Sequence, residues 1–125
     1  MMCLSVGVKR FVKHWGNNMN IIDGKIYHLR GDTAEIDVNI TQDGVPLENY
    51  EAVFSVKKTL KDRTYLFQKP IVDGHIRIEH SDTQDLPYGN YYYDIQVHID
   101  DGTEEGQYVS LPPNRYILMA DVTTG

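Results

Sequence analysis

The chain has 125 residues, with 12 basic and 18 acidic side chains and a formal net charge of −6. That length suits one ordinary domain whose core closes without staples, and the acidic balance argues against a nucleic-acid footprint. No apolar run approaches the roughly 18 residues of a membrane helix, and the single cysteine, Cys3, excludes an internal disulfide and a cysteine-based zinc site.

The first segment is unlike the rest. Residues 1–18 hold Lys9, Arg10 and Lys13, no acid, and the only Trp and Cys. Without them, 9 basic residues (12 less 3) face 18 acidic ones, a charge of −9. A secretory signal places positive charge ahead of its apolar stretch and ends in a small-residue cleavage site. Here the order is reversed and no such site follows, so no signal peptide is expected. Two readings remain. Val8, Phe11, Val12 and Trp15 fall on one side of a short amphipathic helix, with Lys9 and Lys13 beside them. Alternatively, Trp15 and Gly16 require TGGGG in the gene, and Asn17-Asn18 set that purine run a few bases ahead of the Met19 codon. A bacterial ribosome-binding site has this form, which predicts translation from Met19 and makes 1–18 an upstream extension. The domain proper is then 19–125.

From residue 25 the apolar period is two. Lys25 to Arg30 is a short candidate strand. Ala34, Ile36, Val38 and Ile40 alternate with Glu35, Asp37, Asn39 and Thr41, a half-buried strand turned by Gln42-Asp43-Gly44. Ala52, Phe54 and Val56 face one way, with Ser55, Lys57 and Lys58 outside or at an edge. Thr64 to Lys69 reads as a strand closed by Pro70, and Asp73-Gly74 turns into Ile76 and Ile78, flanked by His75, Arg77 and Glu79. Ser81 to Leu86 has room for one helical turn capped by Ser81 or Asp82.

The strongest segment sends Tyr91, Tyr93, Ile95, Val97 and Ile99 inward against Tyr92, Asp94, Gln96 and His98. Each such burial is worth roughly 1.5–3 kcal/mol, so this strand anchors the core. Asp100-Asp101-Gly102 is a further turn, and Gln107 to Leu111 and Arg115 to Val122 are final strands around Pro112-Pro113-Asn114. Seven to eight short antiparallel strands spaced by turn signals predict an all-β, immunoglobulin-like β-sandwich, in preference to a small barrel. In that fold a corner tyrosine lies two residues before the second disulfide cysteine. Gly89, Tyr91 and Tyr93 form that structural corner here, with Tyr93 in the place of the cysteine.

Arg30-Gly31-Asp32-Thr33, Asp43-Gly44-x-Pro46, Phe54-Ser55-Val56-Lys57-Lys58 and Asp82-Thr83-x-x-Leu86-Pro87-x-Gly89-x-Tyr91-x-Tyr93-Asp94-Ile95 follow one another in this order. With the late Asp-Gly turn and the closing Ala120-Asp121-Val122-Thr123, this resembles the Ig-like domain of tail and baseplate proteins from phages and prophages of Firmicutes. It is similar to the N-terminal domain of the baseplate upper protein family. The resemblance covers about residues 30–123, and its motifs mix turn and core residues, which specify a fold more than a task. It implies a non-enzymatic virion structural protein, assembled in the bacterial cytoplasm into the phage tail. Its implied partners are other tail or baseplate proteins and further copies of itself. The chain ends after the sandwich, whereas longer relatives continue into a receptor-binding or connecting part.

Candidate sites compete with plainer readings. Arg30-Gly31-Asp32 spells an adhesion tripeptide but precedes a strong strand and reads as a turn. His75, Glu79 and His80 with Asp73 and Asp82 suggest a metal cluster. Alternation, however, puts His75, Arg77 and Glu79 on a solvent face, and an arginine between ligands repels a cation. The acidic run Asp100-Asp101-Gly102-Thr103-Glu104-Glu105 offers calcium clustered oxygens, or is a charged hairpin tip. Tyr88 and Tyr92 are left exposed by the same alternation and suit a protein interface better than a sugar platform. The histidines are dispersed, no G-x-S-x-G or phosphate loop occurs, and no catalytic set assembles, so no enzyme and no cofactor or metal is expected. The alternatives to the structural reading are a glycan-binding module using Tyr88 and Tyr92, and a calcium-stabilised adhesion module.

Overall fold

Three Asp-Gly pairs turn the chain sharply, two of them within hairpins and one between the sheets. A computed structural model describes residues 4–10, 19–48, 50–99, 106–110 and 112–120. In it Asp23-Gly24 joins β2 (Met19–Ile22) to β3 (Lys25–Leu29), and Asp43-Gly44 joins β4 (Ala34–Gln42) to β5 (Val45–Pro46). Asp73-Gly74 joins β7 (Phe67–Ile71) to β8 (His75–Ile78). All six residues have positive φ, 51–52° at the aspartates and 71–83° at the glycines. That is the type I′ geometry, whose twist matches the flanking strands. At Gly74 the requirement is also steric. Its carbonyl accepts from Val38 N at 2.7 Å, and a Cβ would lie 2.9 Å from Val38 O.

Two sheets result. In the smaller, β4 is central. β1 (Leu4–Arg10) pairs antiparallel with it from Leu4↔Gln42 to Arg10↔Ile36, while β8 pairs with Ala34–Asp37 and β5 with Thr41–Gln42. The larger sheet runs β2-β3-β11-β9-β6-β7, with β6 (Tyr50–Lys57), β9 (Gly89–Ile99) and β11 (Asn114–Met119). β10 (Gln107–Ser110) pairs with the far end of β9. Every pairing there is antiparallel except β3 with β11, which is parallel from Tyr116↔Ile26 to Met119↔Leu29. Among the described residues the only helix is α1 (His80–Thr83), on the way from β8 to β9.

The core is one cluster between the sheets. β4 contributes Ala34, Ile36, Val38 and Ile40, and β8 contributes Ile76 and Ile78. From the larger sheet come Phe54 and Val56, the five alternating residues Tyr91 to Ile99, and Tyr116 with Leu118. Phe54 stacks on Tyr93 at 5.1 Å and meets Tyr116 edge-on at 6.3 Å, geometries that add to plain burial.

The structure corrects several expectations. Val8 lies in a strand, not a helix: an isolated helix this short is marginal, whereas β4 offers Leu4–Arg10 a continuous ladder. Phe11, Val12 and Trp15 lie outside the described residues. The chain carries eleven strands among the described residues, more than the seven to eight expected. β7 starts at Phe67 rather than Thr64 and continues through Pro70, tolerated because β7 is an edge strand. The helical turn starts at His80 with Glu79 as its cap. Asp82 serves as the third residue of a capping box, its carboxylate accepting Glu79 N at 2.7 Å. β11 begins at Asn114 and stops at Met119.

Candidate functional site

The Leu86-Pro87-Tyr88 approach leads into β9, which opens with Gly89 ahead of Tyr91 and Tyr93. Tyr91 Oη donates to Pro87 O at 2.6 Å, and Gly89 takes φ 146°, a backbone region that favours glycine. Tyr93, one turn of the pleat further in, donates its hydroxyl to Gly24 O and so ties β9 to the β2–β3 hairpin. Burial pushes Tyr91 above the ordinary tyrosine pKa and Tyr93 up to about 12.

The Arg30-Gly31-Asp32 tripeptide packs against this corner. Asp32 N donates to Leu29 O to close the turn, and Gly31 N donates to Oγ1 of the fully buried Thr83 at 2.8 Å. His80 Nδ1 donates to Gly31 O. The Arg30 guanidinium lies 4.1 Å from the Tyr88 ring centre and reaches Leu86 O at 3.4 Å. Each residue of the tripeptide is therefore bound into the fold.

Beneath the turn lies His28, which no motif singled out. It is fully buried, with Nε2–H donating to Asp32 O at 2.8 Å and Nδ1 accepting from Tyr116 Oη at 2.5 Å. Burial, the larger effect, lowers its pKa to about 4 against the opposing hydrogen bond to Asp32. Tyr116 is raised, first by burial and then by the Asp82 charge. The signal was available: His28 shares its face with the core residue Ile26.

The residues of the suspected metal cluster go to separate partners. His75 sits between Glu35 Oε1 and Asp37 Oδ1, each at 3.2 Å. Arg77 bridges Glu79 at 2.9 Å and Glu35 at 3.7 Å. Asp82 pairs with Lys69 at 2.7 Å, and His80 turns to Gly31. No group of three metal-ligating side chains forms among the described residues. Asp100 to Glu105 lies outside them. Of the other histidines, His98 stacks on Tyr108 at 4.2 Å, and His14 is also outside.

Tyr88 and Tyr92 are not brought together. Tyr88 is half exposed beneath Arg30. Tyr92 is only partly exposed, in a depression of about 150 Å³ with Lys57, Leu60, Asp94 and Pro113. There burial raises the Asp94 carboxyl, and the Lys57 ammonium opposes it. Lys57 also lies 4.9 Å over the Tyr65 ring. Leu60, Tyr65 and Leu66 of the β6–β7 connection are exposed close by.

At the opposite end of that sheet, a cleft of about 630 Å³ opens between the sheets. Val38, Ile40, Leu47 and Ile71 form its floor, with Glu48, Tyr50 and Asp73 at its mouth. Burial and then the Asp73 charge raise the Tyr50 hydroxyl. A second opening, about 450 Å³, is lined by Gly7 and Val8 of β1 over Tyr93 and Ile95.

Fold and site together define an all-β protein of two packed sheets, whose described histidines, with Glu79 and Asp82, are engaged in structural contacts. No family model, no curated protein and no solved structure matches the chain.

Proposed function

We propose that this chain is an immunoglobulin-like, non-enzymatic structural module of a phage or prophage tail or baseplate, acting through protein–protein contacts. The observation that carries the reading is the Tyr91–Pro87 corner, formed by the very residues on which the family resemblance rests. The strand pairings support it. β4 pairs with β8, β6 with β9, and β9 with β10 and β11, the partnership expected when two sheets are linked in the immunoglobulin manner. The parallel run of β3 along β11 agrees with this, as does the change of sheet between β8 and β9. Loops bound tightly into the fold, such as Arg30 to Asp32, suit a rigid building block better than an adaptable ligand pocket.

Such a block works by presenting fixed surfaces to neighbours, with its place in the virion reached after assembly in the bacterial cytoplasm. The glycan alternative loses support because Tyr88 and Tyr92 line no common surface. The test is peptide mass spectrometry on particles induced from the bacterium carrying the gene. Peptides of this chain in the purified tail fraction are the expected result, and their absence from intact, well-covered particles overturns the proposal.

A further inference from the structure

The two ends of the larger sheet differ in charge and shape in a way that matches one to the other. The β6–β7 connection and its flank carry Lys57, Lys58, Lys61 and Arg63 against Asp62 alone, a net +3 in a chain of −6. Asp62 is already used within the loop, accepting from Thr59 N at 3.1 Å. Arg115, opposite Tyr92 in the β11–β9 register, adds to the same surface. From this basic ground project Leu60, Tyr65 and Leu66, 54, 41 and 41 % exposed.

β6 runs from Tyr50 to Lys57, so about 23 Å of strand separates this loop from the other end. There the exposed charges are Asp43, Glu48, Glu51 and Asp73, and no Lys or Arg lies in 43–51 or 71–74. The same end holds the 630 Å³ cleft with its apolar floor. Val45 and Val72, 62 and 60 % exposed, stand beside it. One end is thus a basic loop with apolar tips, and the other an acidic rim around an apolar opening.

The geometry points to head-to-tail self-association: the Lys58–Leu66 loop of one copy seats in the Glu48–Tyr50–Asp73 cleft of the next. This rests on the assembly reading and names its partner, a second copy of this chain. Charge complementarity selects the occupant, because a loop with the same sign as the rim would be repelled. The contact joins two different surfaces, so a pair of copies keeps one unused surface at each end, and addition continues into a ring where the rotation closes and a filament where it does not.

Sedimentation velocity on the full chain, from micromolar to millimolar, tests this. In low salt the sedimentation coefficient rises with concentration. At about 0.5 M salt, where the screening length is roughly 4 Å, the rise is suppressed. A K58E/K61E/R63E variant and an E48K/E51K variant each associate at least tenfold more weakly. All five side chains are exposed, so circular dichroism and melting should stay at parent values. An equimolar mixture of the two variants regains association, because the native loop meets the native cleft and the charge-reversed loop is complementary to the charge-reversed cleft. Leu60→Ser weakens association while leaving its salt dependence in place. A chain that stays monomeric throughout overturns the inference, as does either variant associating like the parent, or a mixture that stays monomeric. These outcomes are independent of whether the chain is found in tail particles, so the two proposals fail separately.

Discussion

His28 is held neutral because both ring nitrogens are committed, one donating to Asp32 O and the other accepting from Tyr116. Protonation would turn the accepting nitrogen into a donor facing a hydroxyl inside the core. Its folded pKa of about 4 lies below the ordinary 6.5. The contribution to stability is therefore complete above pH 6.5 and is lost as pH falls toward 4. At 1.36 kcal/mol per pH unit the full loss approaches about 3 kcal/mol. Urea unfolding of the parent and of His28→Gln across that window should show a steep fall for the parent and a much shallower one for the variant. Equal slopes would place the proton elsewhere. The inward position of His28 was legible in the sequence, since it alternates with Ile26. Its partners were not, because Tyr116 is 88 residues away.

Among the elements, β9 was the most legible. Its alternation reaches across five inward positions, and all five are buried. The Asp-Gly turns were equally local, and the one missed, Asp23-Gly24, carried the same dipeptide signal as Asp43-Gly44. β1 was not legible, because its backbone is organised by β4, about thirty residues on, rather than by its own pattern. Removing residues 1–18 leaves the β4 edge open and uncovers the opening over Tyr93 and Ile95. We expect the shortened chain to lose on the order of 2 kcal/mol and to aggregate more readily through the exposed edge. Urea midpoints and light scattering of the two chains side by side measure both effects. An unchanged midpoint would mean that β1 contributes nothing to stability. A chain translated from Met19 would carry this open edge as its native state.

At the scale of the whole molecule, the tyrosines of the core set the alkaline limit. Tyr93 is pushed up to about 12, and Tyr116 is raised as well, chiefly by burial. For groups raised above their unfolded value, the stabilisation is complete below pH 10 and is lost as pH climbs through 12. Tyrosinate absorbance should therefore rise in two stages. The later stage belongs to the core rings, which ionise only together with loss of near-ultraviolet circular dichroism. A single smooth titration with the fold intact would show that the core is open to solvent.

The sequence by itself determined the elements that neighbours along the chain can specify: the period-two strands, the type I′ turns, the corner at Gly89 and Tyr91, and hence an all-β fold. Alternation and positive φ are steric facts of a few consecutive residues, so they survive without knowledge of the rest. The tertiary structure alone decided that Leu4–Arg10 extends a sheet and that His28 is locked between Tyr116 and Asp32. It also decided that Tyr92 sinks beside Leu60 and Pro113 while Tyr88 stacks under Arg30, and that basic and acidic surfaces stand at opposite ends. Each of these depends on which distant segment covers a side chain, and that is settled only when the two sheets close on a common core.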